Sequence, residues 1–208
     1  MATPTLPAAP LQPDLSAATL AGAYVRPGET AAAPTAAAQV GVVALNLLRL
    51  ALGVTFLWAF LDKTFGLGYA TPTERAWIHG ASPTEGFLSG VSAGPLHSVF
   101  NNLAGNPLVD WLFMLGLLGI GAALILGVAL RVAAASGTLL LAMMWFATWP
   151  PATITGGQPT GSNNPLVDDH VISALALIVV GVYAAHSASY LGRWWAKQDL
   201  VQRSPWLR

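Results

Sequence analysis

Two carboxylates and an imidazole in a row, Asp168-Asp169-His170, are the densest group of titratable side chains in the sequence. Asp62-Lys63 and Asp110 join them, because the hydropathy pattern brings all of these residues to one end of a helix bundle, and the connection between helices adds Trp77, His79 and His97. Carboxylates beside histidines can transfer protons or hold a divalent metal, and helix N-termini converging on one region suit an anion or a polarised carbonyl. As a metal site the spacing is nonspecific, and no metal is assigned. Lys63, Asp169 and His170 are the candidate catalytic groups, since neither a helix cap nor a helix dipole needs all three. Asp62, His79, Asp110 and Asp168 are candidate substrate contacts, although stabilising a helix start is the simpler role for Asp110 and Asp168.

The elements that position these residues are announced by a repeat. Asn-Pro-Leu-Val-Asp occurs at Asn106–Asp110 and again at Asn164–Asp168, each time opening a long apolar run. Asn is a good N-cap, Pro is tolerated at the first helical position, and Asp in the first turn opposes the helix dipole. The repeat therefore predicts two equivalent helix starts on the same side of a membrane, within two related helix pairs.

Composition gives the membrane. The chain is 54% hydrophobic and only 9% charged, with mean hydropathy +0.58, against about 25% charged for soluble domains. So few charges could not solvate the surface of a soluble core. Four stretches approach the roughly 20 apolar residues that span a bilayer: Val40–Leu61, Pro107–Leu130, Val132–Trp149 and Val167–Ser187. The expected fold is all-α, a polytopic four-helix bundle over residues 39–190 with a loop at 63–106. Residues 1–38, rich in Ala, Pro and Thr, read as a disordered tail without the features of a signal peptide, and 191–208 as a basic tail.

Arg26, Arg131, Arg193, Lys197, Arg203 and Arg208 fall on one side of this arrangement, and only Lys63 and Arg75 on the other. The positive-inside rule then makes both termini cytoplasmic. Cysteine is absent, which excludes thiolate catalysis and cysteine-ligated iron–sulfur clusters. No Gly-rich nucleotide motif occurs, and His170 and His186 sit near opposite ends of one helix, a poor haem pair. Haem, flavin, nucleotide and nucleic-acid partners are therefore not expected.

Inside the membrane, Arg49 is the outstanding charge, about 13 Å below the inner boundary at 1.5 Å per residue. Such a charge marks a paired or functional site, with Asn46, Tyr183 and His186 as candidate neighbours, or else it snorkels to the headgroups. Small residues at Gly119, Ala123 and Gly127, and at Ala133 and Gly137, predict close helix seams. Trp111, Trp149, Trp194 and Trp195 suit interfacial anchoring. Trp58 and Trp145 lie deeper, either as core or as one aromatic wall of a pocket. The long connection is expected to lay a short helix or re-entrant segment over the bundle mouth, with Phe87 and Leu88 dipping into lipid or core.

Leu47-Leu48-Arg49-Leu50, Phe60-Leu61-Asp62-Lys63, the His79-Gly80-x-Ser82-Pro83 loop, the run from Asn106 and Asn163–His170 together resemble the DoxX/DoxD family over roughly Ala44 to Trp195. The resemblance implies a four-helix bacterial membrane protein, similar to the large membrane subunit of thiosulfate:quinone oxidoreductase, with a separate partner subunit. On that reading quinone is the redox group, held against Arg49, Trp58, Trp145 and Tyr183, with Arg49 or His170 polarising a carbonyl. Three functions follow as alternatives: a quinone-linked oxidoreductase subunit acting on a small reduced-sulfur anion such as thiosulfate, a noncatalytic subunit anchoring a larger complex, and a small-molecule carrier. The carrier is the weakest, since tight seams leave little room for alternating access.

Overall fold

The computed structural model describes residues 35–155, 157–184 and 189–207. The chain divides after Ala36, and the unit from Ala37 onward carries the features below. Nearly all of the expected 1–38 tail lies outside the described residues, as does His186.

Helix α1 runs over Ala36–Phe65, a largely apolar stretch without proline. It stops at Gly66, whose positive φ of 64° reverses the chain while its N–H bonds the Asp62 carbonyl at 2.8 Å. A Cβ there would stand 2.6 Å from the Thr73 backbone, so only glycine fits. Two 3-10 turns, Thr73–Arg75 and Trp77–His79, lead to the short helices α2 (Glu85–Ser89) and α3 (His97–Leu103). Helix α4 spans Pro107–Leu126 and α5 spans Leu130–Thr148. A two-residue antiparallel hairpin pairs Ile154–Thr155 with Gln158–Pro159. Helix α6 (Asp169–Val182) precedes two small helices, α7 (Tyr190–Trp195) and α8 (Asp199–Arg203), and a final 3-10 turn.

Helices α1, α4 and α5 are long and apolar enough to cross a membrane. Leu108, Trp111, Leu112 and Leu115 form an exposed apolar stripe at helical spacing on α4, and Ile172, Leu175, Val179 and Val182 form another on the shorter α6. One core collects Leu52 and Phe56 from α1, Met114 and Leu124 from α4, Ala133 and Leu141 from α5, and Leu177 and Val180 from α6.

Helix α4 starts where the repeat predicts. Asn106 caps it by accepting from the Leu108 N–H at 2.9 Å, with Pro107 in the first turn. It ends at Leu126 rather than Leu130, because Gly127 adopts the left-handed conformation (φ 72°) that closes a helix. The second copy departs from expectation. Asn164 Oδ1 also accepts from the residue two ahead, Leu166 N–H at 2.9 Å, and from Val167 N–H at 3.0 Å, but no helix follows. Helix α6 begins at Asp169 instead of Pro165 or Val167 and runs 14 residues, with Asp168 as its cap. The reason lies in the following residues. Asp168 is extended (φ −118°, ψ −171°) and its side chain takes the Val171 N–H at 3.1 Å, supplying a second and competing N-cap.

The helix seams follow the expected stripes in part: a Cβ on Gly127 would meet Ser189 Oγ at 2.6 Å, and Ala133 is buried, but Gly119 is open. Nothing lies within 4 Å of a Cβ built on Gly119, whereas one on Gly121 would meet Leu57 N at 2.7 Å and Gly53 O at 3.1 Å. Gly53 faces Ile125 and Leu124 in turn, so α1 and α4 cross through this glycine pair. Gly137 does face three neighbours, Leu177 of α6, Ile120 of α4 and Phe56 of α1.

Residues 66–106 fold over the end where α1 finishes and α4 begins. Leu88, Val91 and Phe100 make a second small core there with Ala147 of α5, while Phe87 stays exposed. Asn101 Nδ2 ties the segment together by donating to the Leu88 and Val91 carbonyls at 2.8 and 3.0 Å. The Trp145 indole donates to the Leu166 carbonyl at 3.2 Å. Both Asn-Pro-Leu-Val-Asp copies thus lie at the same end, where α5 finishes.

Candidate functional site

The first-turn carboxylate of α4 is the pivot of this end. Asp110 is only 6% exposed. Its Oδ1 accepts from Thr84 Oγ1 at 2.6 Å, Ser82 Oγ at 2.8 Å and Thr84 N–H at 3.3 Å. Ser82 Oγ in turn accepts from the Glu85 N–H at 3.0 Å, which orders the entry into α2. A cavity of about 710 Å³ opens beside this cluster, lined by Arg75, Trp77, Glu85, Asp110 and Trp111 among others. The two indoles meet edge to face, 4.6 Å between centroids.

Of the candidate catalytic, substrate and cofactor residues, Asp110 alone lines this cavity; Lys63, Asp169 and His170, expected together beneath the Trp77–Leu88 segment, do not. Asp62 is 2% exposed and spends its carboxylate on the loop after α1, accepting from Tyr69 N–H at 3.2 Å and Ala70 N–H at 3.1 Å. Lys63 is half-buried at the end of α1. His79 is exposed, with Nδ1 3.0 Å from the Thr73 carbonyl.

Asp168 and His170 form a pair at the start of α6, Oδ2 to Nδ1 at 2.8 Å, while Asp169 is almost fully exposed 3.6 Å from the same nitrogen. Burial pushes the Asp168 carboxyl up, but hydrogen bonds from His170 and the Val171 N–H outweigh it and hold the group below the usual carboxylate range. The ligand atoms of the three residues lie within 4.8 Å of one another. Capping of α6 and the Asp168–His170 bond account for two of the three without an ion.

The proposed quinone contacts are dispersed. Arg49 is buried, but against backbone: Nη1 donates to the Leu124 carbonyl and, at 3.1 Å, to that of Ile125, and Nη2 reaches Asn46 Oδ1 at 3.5 Å. These carbonyls belong to the last turn of α4, which lacks intrahelical donors and carries the negative end of the helix dipole. Arg49 therefore neither snorkels nor faces an open site. Trp58 is exposed and stacks edge-on with Tyr69, whereas Trp145 packs with Phe146 and Trp149. Tyr183 caps the C-terminus of α6 and is about half exposed. The two deep tryptophans belong to separate aromatic groups rather than one wall.

Arg75, Glu85 and the hydroxyls of Ser82 and Thr84 are the features that reading the sequence missed. The loop itself stands out by its length and its Ser-Pro-Thr-Glu run, but the bonds to Asp110 join residues 26 and 28 apart, and such a pairing has no local signature. Comparison with known families, curated proteins and solved structures finds no match to this chain.

Proposed function

We propose that the chain is a multi-pass protein of a bacterial membrane in which α1, α4, α5 and α6 form a four-helix bundle with both termini cytoplasmic, and that it serves as a noncatalytic subunit anchoring or assembling a larger complex. The engagement of Arg49 carries this reading. A guanidinium committed to the α4 carbonyls serves packing and is not available to polarise a quinone carbonyl. The core shared by the four helices supports the bundle, and the distribution of basic residues supports the orientation. The quinone-linked alternative keeps the support of the DoxX-like motifs. Its anionic substrate is disfavoured at the cavity, where two carboxylates face one guanidinium.

Purification in native lipid, followed by identification of copurified polypeptides and quinone, tests the proposal. A stoichiometric partner polypeptide is expected, with quinone at no more than its level in the bulk lipid. Stoichiometric bound quinone, or thiosulfate-dependent quinone reduction by the purified complex, overturns it.

A further inference from the structure

We infer that the cavity between residues 75–89 and the start of α4 is a binding site for a small organic ammonium group. The inference goes beyond the anchoring role and does not depend on it. Three observations converge. Asp110 is more than nine-tenths buried and lines the cavity, yet all three of its hydrogen bonds fall on Oδ1. No donor among the described residues reaches Oδ2. Oδ2 is thus open to a donor from outside the chain, which a cation or a strong donor entering the cavity supplies.

The second observation is charge. Glu85 adds a second carboxylate, lying against Gly105, where a Cβ would stand 3.6 Å from the Glu85 carboxyl carbon. The Glu85 side chain makes no hydrogen bond among the described residues, so it is free to meet a ligand. With Arg75 the lining sums to one net negative charge, which repels an anion and attracts a cation. The third is the pair of indoles, Trp77 and Trp111. Aromatic faces combined with carboxylates recognise ammonium ions, whose charge is attracted by the ring quadrupole. Arg75 can take the acidic part of a zwitterion.

The same chemistry has two sources. An aminophospholipid or choline headgroup could enter from the lipid, since the exposed Leu108, Leu112 and Leu115 stripe begins at the cavity edge. A free amine could enter from water.

Titration calorimetry on the full chain in a maltoside detergent, with choline and ethanolamine as probes, tests the inference. Saturable heat is expected from at least one probe, with none from thiosulfate or sulfate. Glu85→Gln should weaken binding roughly fivefold, the loss of about one exposed charge pair, with unchanged thermal unfolding. Trp111→Leu should weaken it as well. Because Asp110 also holds the loop, Asp110→Asn is read only alongside Glu85→Gln. In nanodiscs, loss of the free-probe heat with phosphatidylethanolamine but not phosphatidylglycerol identifies the headgroup as the occupant. Heat retained in both lipids identifies a soluble amine. No heat from either probe in detergent, heat from thiosulfate, or unaltered binding by Glu85→Gln overturns the site.

Discussion

Arg49 in α1 donates to the carbonyl of Ile125 in the last turn of α4 at 3.1 Å, across a helix crossing closed by Gly53 and Gly121. A cation buried in an apolar segment is thereby partnered at Nη1 by the acceptors that a helix end leaves open, while its buried Nε has no partner among the described residues. Arg49→Leu should leave those carbonyls without their donor and destabilise the protein by about 1–3 kcal/mol. Arg49→Lys should recover only part of this, because one ammonium nitrogen cannot meet the α4 carbonyls and Asn46 as Nη1 and Nη2 together do. Thermal unfolding in detergent measures both. A leucine variant as stable as the parent would show that the bond contributes nothing net.

Asp110 and Thr84 should behave as one unit. Thr84→Val removes the 2.6 Å donor to Asp110, and Asp110→Asn removes the charge that draws it. A double-mutant cycle should give a coupling of about 0.5–3 kcal/mol. Faster amide exchange across 82–89 in either single variant would locate the effect, and purely additive losses would refute the coupling.

The long helices were legible because hydropathy and length decide them. Their ends were less so: Gly127 cut α4 short, and a single apolar run gives no hint that a glycine within it will turn left-handed. The repeated pentapeptide specified the same Asn-centred turn twice, yet a helix grew only from the first, where Trp and Leu follow the Asp. Asp169 and His170 in the second copy gave Asp168 a partner and moved the cap. The cavity was least legible. Its members come from three separate segments, and only tertiary folding brings Arg75, Glu85 and Trp111 together.

The Asp168–His170 pair should give stability a dependence on acid. The Asp168 carboxyl is held below its ordinary value in the folded chain, so its contribution is fully present above the unfolded pKa of about 3.9 and is lost as pH falls through the lower folded value. Protection of the Val171 amide, which the same carboxylate accepts, should fall in that acidic range. Asp168→Asn should remove the step. Hydrogen exchange at several pH values reads both, and an unchanged acid step in the asparagine variant would assign it to another group.

Three glycines within the long helices should separate cleanly. At Gly121 an added methyl would meet the Leu57 amide nitrogen and the Gly53 carbonyl, both backbone. Neither can turn aside, so Gly121→Ala must push α1 off α4 and should cost about 1–3 kcal/mol. At Gly137 the nearest atom is Leu177 Cδ1 at 2.7 Å, the end of a flexible side chain, so Gly137→Ala should cost less. At Gly119 nothing lies within 4 Å, and Gly119→Ala should be neutral or should stabilise by up to about 1 kcal/mol through helix propensity. The expected order of unfolding temperatures is Gly119→Ala, then Gly137→Ala, then Gly121→Ala. A Gly119→Ala variant as damaged as Gly121→Ala would move the close seam back to the small-residue stripe, and with it the crossing that holds Arg49 in place.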